Sequence, residues 1–158
     1  MLLTIDIGNT NITMGVFEEE MLLGMFRMTT KRQRTSDEYG FTICGILEHR
    51  GIDPKKIDAV IIASVVPDIM HSFTSGIIKY LDTTPFIVSA ETDTGVKVLS
   101  DNPSRTGPDR IVNAVAGYAI AQGPAIVIDF GTATTYDLVG PESTLEACII
   151  APGIETAG

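Results

Sequence analysis

Three aspartates set in short glycine- or proline-containing turns are the residues best placed to do chemistry in this chain. They are Asp6 in Asp6-Ile7-Gly8-Asn9-Thr10, Asp109 in Gly107-Pro108-Asp109-Arg110, and Asp129 in Asp129-Phe130-Gly131-Thr132-Ala133-Thr134. The first and third repeat one pattern. Superposing Asp6 on Asp129 pairs Leu3-Thr4-Ile5-Asp6-Ile7-Gly8-Asn9-Thr10 with Ile126-Val127-Ile128-Asp129-Phe130-Gly131-Thr132-Ala133. Each copy is an apolar strand, an Asp, one residue, a Gly, then small residues, mostly hydroxyl or amide. Self-similarity at long spacing marks a duplicated unit. A glycine turn lets backbone N–H groups approach a phosphate closely, and Asn and Thr side chains add donors. The neighbouring Asp would meet a cation carried by the polyphosphate, Mg²⁺ through water or a monovalent ion. Two such hairpins facing each other would form a clamp on polyphosphate between two lobes.

Asp109 admits two readings. As a helix start, Thr106 would be the N-cap, Pro108 would sit in the first turn, and Asp109 would complement the helix dipole. As chemistry, Asp109 would be a general base taking a proton from a hydroxyl that attacks a γ-phosphoryl group, with Arg110 on an anionic group. Phosphoryl transfer depends on positioning and charge neutralisation, which three carboxylates and an Arg around a cleft would supply. The chain lacks GxxxxGK[ST], so the P-loop arrangement is absent. After Arg110 it has no Lys or Arg, yet it keeps Asp129, Asp137, Glu142, Glu146 and Glu155. Phosphate held there must be neutralised by backbone dipoles, hydroxyls and metal ions. His49, in the last turn of a helix, and His71, on a helix surface, are expected to have no catalytic role.

The elements that position these residues read as an α/β layer. Leu2–Asp6 and Ile12–Phe17 form two strands around a turn, and Met21–Met28 forms a third. The basic run Lys31-Arg32-Gln33-Arg34 reads as a solvated loop, with an anion contact as the lesser alternative. Thr35 and Glu38 make a capping box opening a helix with Tyr39, Ile43, Ile46 and Leu47 on one face, closed by Gly51. The apolar run Ala59–Val66, ended by Pro67, reads as a strand buried on both faces, residues 68–80 as a helix, and Pro85–Val88 as another buried strand. Residues 91–106 are a polar loop, Pro108–Ala121 a helix, Ala125–Asp129 a strand, and Tyr136–Val139 its hairpin partner. Helices on a mixed sheet are the expected architecture.

Composition narrows the class further. The 158 residues are 44% hydrophobic and 20% charged, which is globular rather than disordered. With 11 Lys+Arg against 20 Asp+Glu, a net charge of −9 disfavours nucleic acid and anionic membranes as partners. Cys44 and Cys148 stand apart from any metal-spaced partner and read as small buried apolar residues suited to a reducing cytoplasm. There is no basic, apolar leader at the N-terminus, and no apolar run approaches the roughly 20 residues that span a bilayer. A cytoplasmic protein is expected.

The three Asp motifs, with Thr35-Ser36-Asp37-Glu38, Ala63-Ser64-Val65-Val66-Pro67 and Asp101-Asn102-Pro103, resemble type III pantothenate kinases in order and spacing along essentially the whole chain. The resemblance implies an actin-like (ribonuclease H-like) fold of duplicated lobes, with residues 1–112 as the N-terminal lobe and 113–158 as the start of the second. Family members continue further, so the second lobe is expected to be incomplete. The implied activity is ATP-dependent phosphorylation of the primary hydroxyl of pantothenate, the first committed step toward coenzyme A. By position, Asp6, Ile7, Gly8, Asn9, Thr10, Asn11, Ile12 and Thr13 would form the first phosphate loop, with Gly131 and Thr132 as the second ATP contact. Gly107, Pro108, Asp109 and Arg110 would touch pantothenate, with Asp109 as the proton acceptor. Asp129 would hold a monovalent cation such as K⁺ or NH₄⁺, and Asp6 would meet Mg²⁺ through water.

The family also forms homodimers. Three departures stand out: Ser100 takes the place of a usual substrate-contacting Tyr, Pro108 that of Ala, and Ala147-Cys148 that of Gly-Gly. Alternatives are another actin-like small-molecule kinase acting on a sugar or carboxylate, a non-catalytic nucleotide-binding module of the transcription-accessory type, or a purely structural lobe.

Overall fold

The computed structural model describes residues 1–99 and 103–154, so Ser100, the Asp101-Asn102 part of its motif, and Glu155 lie outside the described residues. The chain divides into two compact units, Met1–Val88 and Ser89–Gly158. The boundary expected after residue 112 falls inside a helix, Pro108–Ala121, that belongs whole to the second unit.

In the first unit, β1 (Leu2–Ile7), β2 (Asn11–Glu18) and β3 (Met21–Thr29) form an antiparallel meander. Then come α1 (Ser36–His49), β4 (Ala59–Ser64), α2 (Pro67–Leu81) and β5 (Phe86–Ile87). The sheet order is β3-β2-β1-β4-β5, with β4 parallel to both β1 and β5. Period-two alternation puts Leu3, Ile5 and Ile7 of β1 and Ile12, Met14 and Val16 of β2 on one buried face. The helical period puts Tyr39, Ile43 and Leu47 of α1 and Ile69, Phe73 and Ile77 of α2 in the same core. Tyr39 and Phe73 meet edge to face, with centroids 4.9 Å apart. The capping box forms: the Glu38 N–H donates to Thr35 Oγ1 at 3.3 Å, and the Thr35 N–H donates to Glu38 Oε2 at 2.8 Å. Gly51 follows the helix at φ +74°, as a left-handed C′ residue should.

The two helices approach closely at Gly76. A Cβ there would lie 2.6 Å from the Ser36 carbonyl oxygen and 3.2 Å from the Gly40 nitrogen. Backbone cannot move aside as a side chain can, so overpacking outweighs the roughly 1 kcal/mol of helix propensity that Ala gains over Gly. We expect Gly76→Ala to destabilise this unit by about 1–3 kcal/mol in urea unfolding; a variant as stable as the parent would contradict the packing.

The second unit holds β6 (Lys97–Val98), α3 (Pro108–Ala121), β7 (Ala125–Phe130), β8 (Ala133–Val139) and β9 (Thr144–Pro152). Its sheet order is β6-β9-β8-β7, with β7, β8 and β9 antiparallel in turn and β6 parallel to β9. The core gathers Ala114 and Tyr118 of α3 with Val127, Val139 and Leu145. The repeat seen in sequence thus becomes two β-meanders, β1-β2-β3 and β7-β8-β9. Within this chain the helices cover different faces of them. Leu3, Ile5 and Ile7 are 0, 3 and 0% exposed, whereas their counterparts Ile126, Ile128 and Phe130 are 67, 46 and 66% exposed. Two helices cover that face in the first unit; in the second, α3 covers the other one, where Val127, Asp137 and Val139 lie.

Several details differ from the sequence expectations. The Ala59–Val66 strand stops at Ser64, whose Oγ accepts the Val66 N–H at 3.1 Å as the chain turns into α2. Burial along it is not two-sided throughout, since Ile61 is only half-buried. β5 is a two-residue edge strand, and Phe86 and Ile87 are exposed rather than buried. Within the loop 91–106, Lys97–Val98 pairs with β9 and Pro103–Arg105 makes a single 3₁₀ turn. The N-cap of α3 is Gly107, not Thr106, without a side-chain cap bond. Cys148 is exposed and Cys44 half-buried, so neither is the fully buried apolar residue expected. No helix among the described residues is long and apolar enough to cross a membrane.

Candidate active site

The first turn is built by β1 and β2. The Gly8 N–H donates to the Asn11 carbonyl at 3.0 Å, closing the hairpin. Thr30, just past β3, pins it from outside: its N–H donates to the Thr10 carbonyl at 2.9 Å and its Oγ1 to the Gly8 carbonyl at 2.7 Å. Asp6, Asn9, Thr10 and Asn11 are exposed and Thr13 is half-buried, which leaves a crown of carboxylate, amide and hydroxyl groups. Ile7 and Ile12 sit at the same turn with their side chains wholly in the core. Only their backbones can face a ligand.

The second turn is one residue shorter. Ile7 pairs with Ile12 across four intervening residues, whereas Phe130 pairs with Thr134 across three. The Gly131 N–H donates to the Ala133 carbonyl at 3.0 Å, and Asp129, Gly131 and Thr132 are exposed. Behind this turn lies a residue that sequence reasoning missed. A Cβ on Gly153 would lie 2.3 Å from the Thr132 carbonyl oxygen and 2.8 Å from that of Gly131. Gly153 lets β9 end against the turn backbone, so Gly153→Ala must displace Gly131 and Thr132. We expect Gly153→Ala to destabilise the second unit by about 1–3 kcal/mol in urea unfolding, the cost of overpacking against backbone; parental stability would show that the turn yields freely.

Helix α3 presents Asp109 and Arg110 in its first turn because Gly107 and Pro108 start it there. Asp109 is half-buried, and its Oδ1 is shielded from solvent without a hydrogen bond. Arg110 is buried, and its Nη1 donates to Asp137 Oδ1 at 3.0 Å while Nη2 has no hydrogen-bond partner. Asp137, in β8, is buried more deeply still, at 1% exposed. Burial pushes its carboxyl above the usual range. The neighbouring Cys148 thiol and the Arg110 guanidinium pull it down, while Asp109 and Asp129 add to the push. The structure therefore brings Asp109, Arg110 and Asp129 into one electrostatic neighbourhood centred on Asp137. Cys148 lies directly across from Asp137 in the β8–β9 register. Although the residue as a whole is exposed, desolvation of its sulfur raises the thiol. The alternation of β8 put Asp137 on the same face as Val127 and Val139, a signal of burial legible only once the covered face is known.

The Asp6 turn and the Asp109–Asp129 group lie in separate compact units. Among the described residues, no three His, Cys, Asp or Glu side chains cluster in a way that would enclose a metal ion.

Solved structures share this architecture at low identity. The type II variant of the Aquifex aeolicus Ppx/GppA phosphatase matches 98% of this chain and 53% of its own, at TM-score 0.52 and 15% identity. The ROK hexokinase of Thermus thermophilus matches 89% of this chain and 46% of its own, at TM-score 0.50 and 14% identity. The fold is thus α/β of the actin-like class, with mixed sheets and flanking helices. The model of the type III pantothenate kinase family matches residues 2–157. The type III pantothenate kinase of Agathobacter rectalis is 51% identical over 154 residues, covering 98% of this chain and 59% of that protein. That of Halalkalibacterium halodurans is 45% identical over 154 residues, covering 98% and 61%. The chain belongs to the type III pantothenate kinase family, and it spans about 60% of the length of the curated relatives it matches.

Proposed function

We propose that the chain carries the phosphate turns, the general base and the acceptor-binding arginine of an enzyme that phosphorylates pantothenate with ATP, the first step toward coenzyme A. The observation that carries this reading is Asp109 Oδ1, a shielded carboxylate oxygen without a hydrogen bond, beside a buried arginine at a helix start. An orphaned buried acceptor calls for a partner. The primary hydroxyl of pantothenate supplies one: its proton goes to Asp109 as its oxygen bonds the γ-phosphorus, and the bond to the β-phosphate oxygen breaks to release ADP. Arg110, steadied through Nη1, offers Nη2 to an anionic group of the acceptor. Gly107 and Pro108 set the approach of the acceptor, and the Gly8–Thr10 turn and the Gly131–Thr132 turn each offer groups suited to phosphate.

Asp6 and Asp129 are oxygen donors of the kind hard cations take. Asp6 would hold Mg²⁺ through water and Asp129 a monovalent cation; when bound, these ions neutralise phosphate charge. The complete enzyme would be a cytoplasmic homodimer. Calorimetric titration of the 158-residue chain tests the binding part: ATP with Mg²⁺, and pantothenate, should each bind saturably. Binding of ATP but not pantothenate would favour a regulatory nucleotide module, and preference for a hexose would favour a sugar kinase.

A further inference from the structure

The basic run at residues 31–34 is absorbed by none of this, yet it is anchored and not a free loop. Thr30, immediately before it, ties it to the Gly8 and Thr10 carbonyls of the first turn. Tyr39 Oη donates to the Lys31 carbonyl at 2.6 Å. Arg34 lies over the Tyr39 ring, 5.9 Å from its centroid, and its Nη1 is shielded from solvent without a hydrogen-bond partner. Lys31, Arg32, Gln33, Arg34 and Glu38 line an open pocket of about 470 Å³. Two carboxylates compete there. Glu38 turns Oε2 onto the Thr35 N–H and hydroxyl, at 2.8 and 3.0 Å. Asp68 pairs with Arg32 at 2.8 Å, an exposed contact of the kind worth little in solution. Three of the chain's 11 Lys and Arg thus converge on one pocket, in a molecule whose net charge of −9 repels anions elsewhere.

We propose that Lys31 and Arg34 form an oxyanion-binding site at the flank of the first phosphate turn. This rests on the functional reading above and supplies what that reading lacks, fixed positive charge next to a turn made of glycine, amide and hydroxyl groups. The shared chemistry is an oxyanion, either a phosphate of the nucleotide or the carboxylate of the acceptor. A guanidinium presents paired donors to either, and a lysine adds a point charge.

The test is calorimetric titration of the 158-residue chain, its Lys31→Gln/Arg34→Gln variant and its Arg34→Lys variant. The probes are inorganic tripolyphosphate, ATP and pantothenate, each at two salt concentrations. We expect the double variant to lose at least tenfold in affinity for one oxyanion class and to show a shallower salt dependence, with Arg34→Lys retaining part of the affinity. Loss for tripolyphosphate and ATP together assigns the site to phosphate; loss for pantothenate alone assigns it to the acceptor carboxylate. Both support the proposal. A double variant that melts like the parent and binds all three probes like the parent overturns the proposal and leaves the functional reading intact. A parent chain that binds none of them overturns both.

Discussion

Replacing Asp109 by Asn should lower phosphate transfer to pantothenate by about 10²- to 10⁴-fold, the usual contribution of a positioned general base. The chain should be joined to the part of the Agathobacter rectalis relative that it does not match for this measurement, since it spans about 60% of that protein. Asn keeps the size and the helix-start position of Asp109 but cannot take up the proton. The loss should therefore fall on kcat, with the KM for ATP little changed. The same substitution gives the orphaned acceptor a neutral amide, so folding stability should not fall. A variant that unfolds, or one that retains kcat, would remove Asp109 from the catalytic role.

The largest structural effect should come from Asp137→Ala. Arg110 is 8% exposed and its hydrogen-bonded counter-ion is Asp137. Truncating one partner of a buried pair leaves the other charge uncompensated, which costs about 3–5 kcal/mol. Urea unfolding of the second unit should show that loss, whereas Arg110→Met with Asp137→Leu should cost far less because no charge is stranded. The pH dependence has a definite sign. Burial raises the Asp137 carboxyl in the folded chain, so between the ordinary carboxylate value and the raised one the folded state holds a proton that the unfolded state has released. The cost of a stranded Arg110 charge is read above that window, where the pair is ionised. Stability from this group is present below the ordinary carboxylate value and is lost as pH rises through the raised one. Asp137→Ala should abolish that slope. Retention of parental stability would mean that the Arg110–Asp137 pair has no hold on the start of α3.

Elements with strong local signals were legible before the structure. The Thr35–Glu38 box and Gly51 bracket α1, Pro108 opens α3, the helix expected over 68–80 became α2 with Pro67 added at its start, and the Asp6/Asp129 echo became two meanders. Features that depend on partners distant in sequence were not legible. β6 has two residues and exists through its pairing with β9. β5 reads as buried by composition but lies at a sheet edge. Which face of each meander is covered within this chain is not legible, because both share one apolar pattern and helices distant in sequence decide it. In the site, Asp6, Asp109 and Asp129 were legible as residues in special turns, while Asp137 and Gly153 act by contact with groups far along the chain.

If these turns and Asp109 direct ATP toward pantothenate, the acceptor must decide turnover. ADP release is to be measured with this chain joined to the unmatched part of the Agathobacter rectalis relative, with Mg²⁺ and K⁺, offered pantothenate or a panel of sugars and carboxylates. Turnover should require pantothenate, with one phosphorylated product per ADP. A folded, ATP-binding chimera that released ADP regardless of the acceptor, or only with a sugar, would contradict it.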